Sequence, residues 1–173
     1  MTAPTGPRTV RTTIDSPLGP LTLVADDDGL VALYLDGQRH RPAEQTLGVP
    51  AGPEEPVLAE AARQLAEYFR GARESFDLEL RPRGTTFQQA VWARLREIPF
   101  GATTTYGAIA ADLAARGGAP AGSARAVGAA VGRNPLSLVV PCHRVVGSDG
   151  ALTGYAGGLE RKVWLLTHEG VIV

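Results

Sequence analysis

The sequence contains a single cysteine, Cys142, in 173 residues. One cysteine cannot form a disulfide within the chain, and an unpaired thiol is typical of a reducing compartment, so we predict a cytoplasmic protein. No run of roughly 18 consecutive apolar residues occurs, which argues against a membrane-spanning helix. The first eight residues, MTAPTGPR, have none of the apolar core that a secretory signal requires. What remains is a chain that is 44% hydrophobic, enough to build a buried core.

Lysine is nearly absent, because Lys162 is the only lysine among 17 basic residues. The net charge of −1 does not predict strong nonspecific binding to nucleic acid. The two halves differ, however: residues 1–80 carry a charge of −6, and residues 81–173 carry +5. This contrast is compatible with ordinary surface charge, but a basic C-terminal half also suits an anionic partner such as DNA.

The N-terminal half has the pattern of a small sheet followed by a helix. Short apolar runs separated by turn residues predict antiparallel strands at Thr9–Asp15, Leu21–Ala25 and Leu30–Leu35. Residues 38–53 are rich in Pro and Gly and predict a loop. Apolar residues at helical spacing predict a helix over Pro56–Arg70, with Gly71 as its C-terminal cap. Phe76–Leu80 is a candidate for a further strand.

The C-terminal half has the pattern of a helical domain. Helices are predicted at Thr86–Arg96, Tyr106–Arg116, Ser123–Arg133 and Glu160–Glu169. The second and third have the order of a helix-turn-helix, although the loop Gly117–Gly122 is longer than in the compact motif. Ser123 is the expected N-cap of the third helix, which consists almost entirely of Ala, Gly and Val. Such a helix can pack closely on another helix or enter a DNA groove.

Cys142 follows an apolar run, Leu136–Val140, whose length and β-branched residues predict a buried strand. Pro141 cannot donate a hydrogen bond to a sheet, so the strand is expected to end there and to place Cys142 at its tip. A thiol in this position, with His143 beside it, is a candidate nucleophile. The alternative is a structural cysteine, because free cysteines are among the most buried residues of proteins.

These patterns together predict an α+β protein of two domains. Residues 1–80 are expected to form a small antiparallel sheet with a helix. Residues 81–173 are expected to form a mostly helical domain that contains the helix-turn-helix and the strand leading to the cysteine.

The residues around the cysteine resemble those of a known family. The run PCHRV over residues 141–145 is preceded by Asn134-Pro135 and followed by YAGGL over residues 155–159. In these motifs the chain is similar to the O6-alkylguanine-DNA alkyltransferases, or methylated-DNA–protein-cysteine methyltransferases. The resemblance implies a DNA repair protein that flips O6-alkylguanine out of duplex DNA. It also implies that the alkyl group passes irreversibly and stoichiometrically to Cys142, and it leaves open whether O4-alkylthymine is a substrate.

The resemblance implies a catalytic set of four residues: Cys142, His143, Glu169 and Asn134. In this set a water molecule connects the Cys142 thiol to His143, and Glu169 orients the imidazole. Asn134 holds the turn before the cysteine. Neighbouring residues of an extended chain point to opposite faces, which also disfavours direct contact between Cys142 and His143.

The resemblance further implies two binding sets. The flipped guanine would be recognised by Tyr106, Val145, Tyr155, Ala156 and Gly157. Contacts with DNA would be made by Arg125, Ala126, Ala129 and Tyr106, with the Ala/Gly-rich helix in the minor groove. Arg125 corresponds to an arginine that fills the space left by the extruded base. From the residues alone, Arg125 is as compatible with a phosphate contact, and Tyr106 with packing on the core.

The chain departs from the family pattern in three places. Ala156 replaces a serine found in some relatives, so recognition of O6 would depend on backbone N–H groups. The loop Gly117–Gly122 is lengthened. Residues 1–80 contain no Cys and one His, His40, so we predict no zinc site of the kind held by some relatives, and no other cofactor. Neither His40 nor His168 is assigned a role.

Two other functions remain open at this point. A non-catalytic module that recognises damaged DNA would have no need for an activated thiol. A Cys-His-Glu hydrolase would turn over repeatedly on an amide or ester. We expect double-stranded DNA containing O6-alkylguanine as the partner, no membrane association, and a monomer. Cooperative binding along DNA is left open.

Overall fold

A four-stranded sheet forms the N-terminal part of the molecule, in a computed structural model that describes residues 8–52, 54–117 and 122–172. Its strands are β1 (Val10–Ile14), β2 (Leu21–Ala25), β3 (Leu30–Leu35) and β4 (Val49–Pro50), in the order β3-β2-β1-β4. Strands β1 to β3 form the predicted antiparallel meander. The two-residue β4 is parallel to β1 and lies in the segment predicted to be a loop.

Both faces of the sheet are covered, which explains why β2 and β3 are apolar without alternation. One face packs against helix α1 (Pro56–Phe69), which buries Leu58, Leu65 and Tyr68. The other face carries a smaller cluster that includes Tyr34 and Leu47. The helix predicted at Pro56–Arg70 is therefore confirmed, but it ends one residue earlier. Arg70 is its C-terminal cap in place of the predicted Gly71, which follows it with a φ of 80°.

The further strand expected at Phe76–Leu80 is wrong. Only Leu80 pairs with the sheet, through a single bridge to Leu30. Leu30 N–H donates to Glu79 O (2.8 Å), and Arg81 N–H donates to Leu30 O (2.8 Å). The segment therefore pairs with β3 at a single residue, so no continuous ladder of strand hydrogen bonds forms.

Four helices make up most of the C-terminal part: α2 (Thr86–Leu95), α3 (Tyr106–Arg116), α4 (Ala124–Gly132) and α5 (Leu159–His168). Side-chain caps fix three of their starts. Thr85 forms a capping box with Gln88, Thr105 accepts from Ala108 N–H, and Ser123 accepts from Ala126 N–H as predicted. Helices α3 and α4 pack together as the predicted pair. Residues 118–121 of the loop between them lie outside the described residues.

The strand expected at Leu136–Val140 is also wrong. A five-residue strand separates its ends by roughly 13 Å. Here the Asn134 side chain bonds to both ends of the segment, accepting from Leu136 N–H (2.9 Å) and donating to Val140 O (2.9 Å). The segment therefore forms turns, with Leu138 at a φ of 71°, and retains a single bridge from Leu136 to Leu33. Cys142 consequently begins a 3₁₀ turn, Cys142–Arg144, that leads into strand β6 (Val145–Val146), which is paired with β5 (Thr104–Thr105).

The main hydrophobic core includes residues from both halves of the chain, with Leu33 and Leu65 in the same cluster as Leu95 and Leu136. The α+β class is confirmed, whereas a division into domains at residues 80 and 81 stays a prediction. None of the described helices is both long and apolar enough to cross a membrane.

Candidate active site

Cys142 lies on the wall of a cavity of about 320 Å³ at the surface of the C-terminal part. The residue is only 4% exposed, so its thiol is reached through this cavity. The 3₁₀ turn that begins at Cys142 is held by backbone bonds, since Cys142 N–H donates to Val140 O (2.8 Å) and Arg144 N–H donates to Pro141 O (3.0 Å). A cavity of this size is at the lower end of the range for small-molecule sites and can admit a single nucleobase.

Asn134 fixes the approach to the cysteine. The residue is 4% exposed, and its carboxamide uses both its donor and its acceptor on the main chain of the turn before Cys142. A carboxamide carries its donor and its acceptor on two separate atoms, so it can bond to both ends of the turn at once. The structure thus places Asn134 in a structural position next to the turn that begins at Cys142, and its catalytic importance stays a prediction.

His143 and Glu169 are in direct contact within the buried interior. His143 Nε2 lies 2.8 Å from Glu169 Oε2, and both side chains are fully buried. Because a carboxylate only accepts, Nε2 carries the proton and Nδ1 keeps a lone pair. His143 Nδ1 is buried and has no hydrogen-bond partner among the described residues. Among the described residues, no hydrogen bond joins the Cys142 thiol to the His143 imidazole, as the sequence predicts.

The Glu169 carboxylate is held by three residues. Arg144 forms a bidentate pair with it, through Nε to Oε1 (2.7 Å) and through its terminal nitrogen to Oε2 (3.0 Å). Tyr68 Oη donates to Oε2 at 2.6 Å. Burial alone would raise the pKa of Glu169, but the hydrogen bonds from His143 and Arg144 outweigh it and lower the pKa to about 2. The carboxylate is therefore charged at neutral pH.

The protonation states of Cys142 and His143 follow from their burial. Burial raises the pKa of the Cys142 thiol, and the Asn134 amide and the Lys162 ammonium offset this only in part. Burial also lowers the pKa of His143, despite the hydrogen bond to Glu169. At neutral pH the site accordingly holds a thiol and a neutral imidazole, and the thiolate must form during the reaction.

Lys162 is a fully buried cation on α5 that the sequence interpretation did not assign. Its ammonium donates to the carbonyls of Val145 (2.6 Å), Thr153 (3.2 Å) and Gly154 (3.2 Å). These bonds tie the strand after the cysteine to the loop that forms the cavity wall. The sequence contained a signal for this role, because Lys162 is the only lysine in a chain that otherwise uses arginine. A compact ammonium with three donors fits three carbonyls in a way that a planar guanidinium does not.

The cavity wall contains three of the five residues implied for guanine recognition: Tyr106, Tyr155 and Ala156. Tyr155 Oη is buried and has no partner among the described residues, and burial raises its pKa well above the usual value. Gly157 lies behind this wall, where a Cβ would come within 2.4 Å of Leu35 Cδ1. Val145 is buried, and its carbonyl is already bonded to Lys162. The structure therefore brings Tyr106, Tyr155 and Ala156 to the cavity, but not Val145 or Gly157.

Helix α4 presents its small residues to the cavity. Ala129 lines the cavity and is exposed, and Gly128 and Gly132 line it as well, whereas Val127 is buried in the core and does not reach the cavity. Arg125 is exposed one turn before Ala129, and Ala126 is half-buried beside it. No hydrogen bond or ion pair of Arg125 occurs within the described ranges, so its guanidinium is available to a partner.

Two family models match the chain. The ribonuclease-like domain of 6-O-methylguanine DNA methyltransferase matches residues 9–82, and the DNA binding domain of the same protein matches residues 86–171. The chain belongs to the 6-O-methylguanine DNA methyltransferase family. It is therefore a DNA repair methyltransferase that acts on methylated DNA, with a protein cysteine as the methyl acceptor.

Individual relatives of this methyltransferase cover nearly the whole chain. Methylated-DNA–protein-cysteine methyltransferase of Methanosarcina acetivorans is 46% identical over 90% of this chain and 95% of the relative. The protein of the same name from Mycolicibacterium paratuberculosis is 48% identical, over 91% and 90%. Among solved structures, Mycobacterium tuberculosis OGT in complex with DNA superposes with a TM-score of 0.80 at 45% identity, covering 94% of this chain and 92% of that one.

The methyltransferase has three basic residues at its cavity that the sequence interpretation did not assign: Arg39, His40 and Arg133. Arg39 and His40 come from the loop after β3, and Arg39 N–H donates to Ala156 O (2.8 Å). This contact joins the N-terminal part to the cavity wall. Nothing in the sequence near His40 marks it, because its proximity to Cys142 arises only when the two halves pack together.

Proposed function

We propose that this methyltransferase repairs O6-alkylguanine by accepting the flipped base into the cavity at Cys142 and the alkyl group, irreversibly, on the Cys142 sulfur. The observation that carries the proposal is the arrangement of three groups. The only thiol of the chain lines a cavity of nucleobase size. The next residue, His143, has an Nδ1 with no hydrogen-bond partner among the described residues and an Nε2 that is bonded to Glu169.

The chemistry is a displacement at carbon. The Cys142 thiolate attacks the alkyl carbon, a sulfur–carbon bond forms, and the bond from carbon to guanine O6 breaks. The electron pair of the broken bond stays on the base. The base then takes up a proton and becomes an unmodified guanine of the DNA. The product is an S-alkyl cysteine, a thioether without a leaving group at neutral pH. One protein molecule is therefore consumed for each lesion.

Thiolate formation requires a base, because burial raises the pKa of Cys142. His143 Nδ1 is the acceptor we propose, with one water molecule carrying the proton from the thiol. Glu169 keeps the proton of Nε2 in place and stabilises the imidazolium that results. The charge of Lys162 favours the thiolate as it forms.

The position of the sulfur supports base flipping. Cys142 is 4% exposed and reached only through the cavity, so a stacked base cannot bring its O6 to the thiol. Extruding the base costs a few kcal/mol in pairing and stacking, which contacts with the DNA must offset. Gly128 and Ala129 of α4 line the cavity, and Arg125 is exposed one turn earlier on the same helix, so these residues are suited to that contact.

The two alternative functions predict different products. A module that only recognises damage would leave the DNA and the protein unchanged, and a hydrolase would form no lasting adduct. A module that only recognises damage has no need for a thiol supported by a histidine and a carboxylate, and a hydrolase would be distinguished by its repeated turnover. O4-alkylthymine, the second possible substrate, offers the same displacement at an oxygen-bound carbon.

The direct test is the mass of the intact protein after reaction with duplex DNA containing one O6-methylguanine. We expect the mass of one methyl group per protein molecule, localised to Cys142, and restored guanine in the DNA. Excess lesion should not raise the yield above one equivalent. Lesion loss without a gain in protein mass would contradict the proposal.

Arg125 is expected to matter for duplex DNA and hardly at all for a free base. If its planar guanidinium fills the gap left by the extruded base, the contact offsets part of the free energy that base extrusion costs. Arg125→Ala removes this contact and should slow repair of a paired O6-methylguanine about 10- to 100-fold. Reaction with free O6-benzylguanine should change by less than about twofold, because no base has to be extruded. Single-turnover rates on both substrates measure the difference.

Arg125→Lys is the matched control, because it keeps the charge and removes the planar group. We expect only partial recovery on duplex DNA. Full recovery, with a change confined to the salt dependence of binding, would instead make Arg125 a phosphate contact. Equal slowing on both substrates would assign it to the stability of the fold.

A further inference from the structure

The carboxylate that orients His143 is also bonded to a residue of the N-terminal half. Tyr68 is the penultimate residue of α1 and is 1% exposed. Its hydroxyl donates to Glu169 Oε2 at 2.6 Å, and the same oxygen lies 2.8 Å from His143 Nε2. Burial and the neighbouring Glu169 charge raise the pKa of Tyr68, so its hydroxyl stays protonated and can only donate to the carboxylate.

A second bond makes this contact reciprocal. His168 Nε2 lies 2.7 Å from the carbonyl oxygen of Tyr68, which can only accept, so His168 donates. The rings of Tyr68 and His168 also meet edge to face, with centroids 5.0 Å apart. The end of α1 is thus joined twice to the dipeptide His168–Glu169 at the end of α5.

We propose that Tyr68 is a positioning residue for alkyl transfer, whose hydroxyl holds Glu169 Oε2 against His143 and takes up part of the charge at that oxygen. The inference rests on the proposed function, in which Glu169 acts through His143. It gives the N-terminal half, and α1 in particular, a part in the chemistry of Cys142.

The Tyr68 hydroxyl affects the reaction by changing how strongly Glu169 stabilises protonated His143. Oε2 accepts hydrogen bonds from Tyr68, His143 and Arg144, and each donor reduces the charge that the carboxylate directs to the others. Removing the Tyr68 hydroxyl leaves Oε2 with one donor fewer. Its charge then stabilises the His143 imidazolium more strongly, so the pKa of His143 rises and the imidazole is protonated at a higher pH.

The other groups around His143 do not change in this substitution. They are Arg144 from its own turn and Lys162 from α5. The hydroxyls of Tyr106 and Tyr155 interact with the adjacent Cys142. Arg144 and Lys162 both lower the pKa of His143, and burial lowers it more. A shift on removal of a neutral hydroxyl therefore reports the Tyr68–Glu169 bond.

The experiment is the single-turnover rate of methyl transfer from a saturating O6-methylguanine duplex, measured from about pH 5 to pH 9. Tyr68→Phe keeps the ring, which packs on Phe76 and Phe100, and removes only the hydroxyl. We expect the acidic limb of the profile to move up by about half to one pH unit. In the Glu169→Gln background the same substitution should produce no shift.

Tyr34→Phe is the matched control, since Tyr34 is a buried tyrosine of β3 in the cluster on the other face of the sheet. It should leave the limb unchanged. A ring-fluorinated tyrosine at position 68, a stronger donor, should move the limb to lower pH and provides a second variant should Tyr68→Phe fail to fold.

The inference is wrong if the acidic limb of Tyr68→Phe lies at the same pH as that of the wild type. It is also wrong if Tyr68→Phe lowers the rate equally in the Glu169→Gln background. In either case Tyr68 is a packing residue. These results would not affect the proposed function, because Cys142 would still be methylated. If neither the wild type nor Tyr34→Phe becomes methylated, the proposed function fails and this inference fails with it.

Discussion

Replacement of Cys142 by serine is expected to abolish methyl transfer while leaving DNA binding largely intact. A buried hydroxyl has a much higher pKa than a thiol and is a poorer nucleophile toward carbon, so the rate should fall by more than about 10⁴-fold. Binding should change by less than about threefold, because phosphate contacts supply most of the affinity and the thiol is almost fully buried. Intact mass after prolonged reaction and fluorescence anisotropy on a methylated duplex measure the two effects.

Ser137→Ala is a suitable control for this substitution, since it removes a buried hydroxyl from the turn before the cysteine without touching the sulfur. It should retain transfer to Cys142. A methyl group mapped to any residue other than Cys142, or repeated turnover by the native protein, would contradict the assignment of the acceptor.

The second large effect concerns His143 and Glu169, which are expected to act as one unit. His143→Ala removes the proton acceptor, and Glu169→Gln removes the charge that stabilises its imidazolium, so each should slow transfer roughly 10²- to 10³-fold. The double variant should be little slower than His143→Ala, because Glu169 acts only through the imidazole. Single-turnover rates of both singles and the double decide between coupling and additivity, and additive logarithms of the rates would refute the relay.

The pH dependence gives the same pair an independent test. The reactive state contains neutral His143, whose pKa burial lowers, so the native rate should fall only below about pH 6.5. Glu169→Gln removes a negative charge beside the imidazole, which lowers the pKa of His143 further. The acidic limb should therefore move to lower pH, opposite to the direction expected for Tyr68→Phe.

Stability must be measured alongside these rates. Glu169 forms a buried bidentate pair with Arg144, so Glu169→Gln leaves Arg144 without its counter-charge and should lower the free energy of unfolding by about 3–5 kcal/mol. Glu160→Gln, on the exposed first turn of α5, is the matched control for loss of a glutamate. It should change neither the rate nor the stability appreciably.

Local sequence was sufficient for most elements of secondary structure. The strands at residues 10–35 and the helices at 56–69 and 106–116 follow from apolar spacing and capping residues, which act over a few positions. The same reasoning failed at Leu136–Val140, where β-branched residues predict a strand. The bonds of Asn134 to both ends of that segment override the local preference, and such bonds depend on how the chain closes.

The motif around Cys142 indicated the family, and it also suggested the nucleophile and the base that we propose, because these residues are adjacent in the chain. Only the tertiary structure decided what surrounds them. Tyr68 and Glu169 are 101 positions apart, yet their side chains are hydrogen-bonded, and Arg39 and His40 reach the cavity from the loop after β3. The reason is physical: a pKa depends on burial and on nearby charges, and both are set by packing between segments that are distant in the chain. The sequence therefore indicated the residue that we propose as the alkyl acceptor, and the fold set the burial and the charges on which removal of its proton depends.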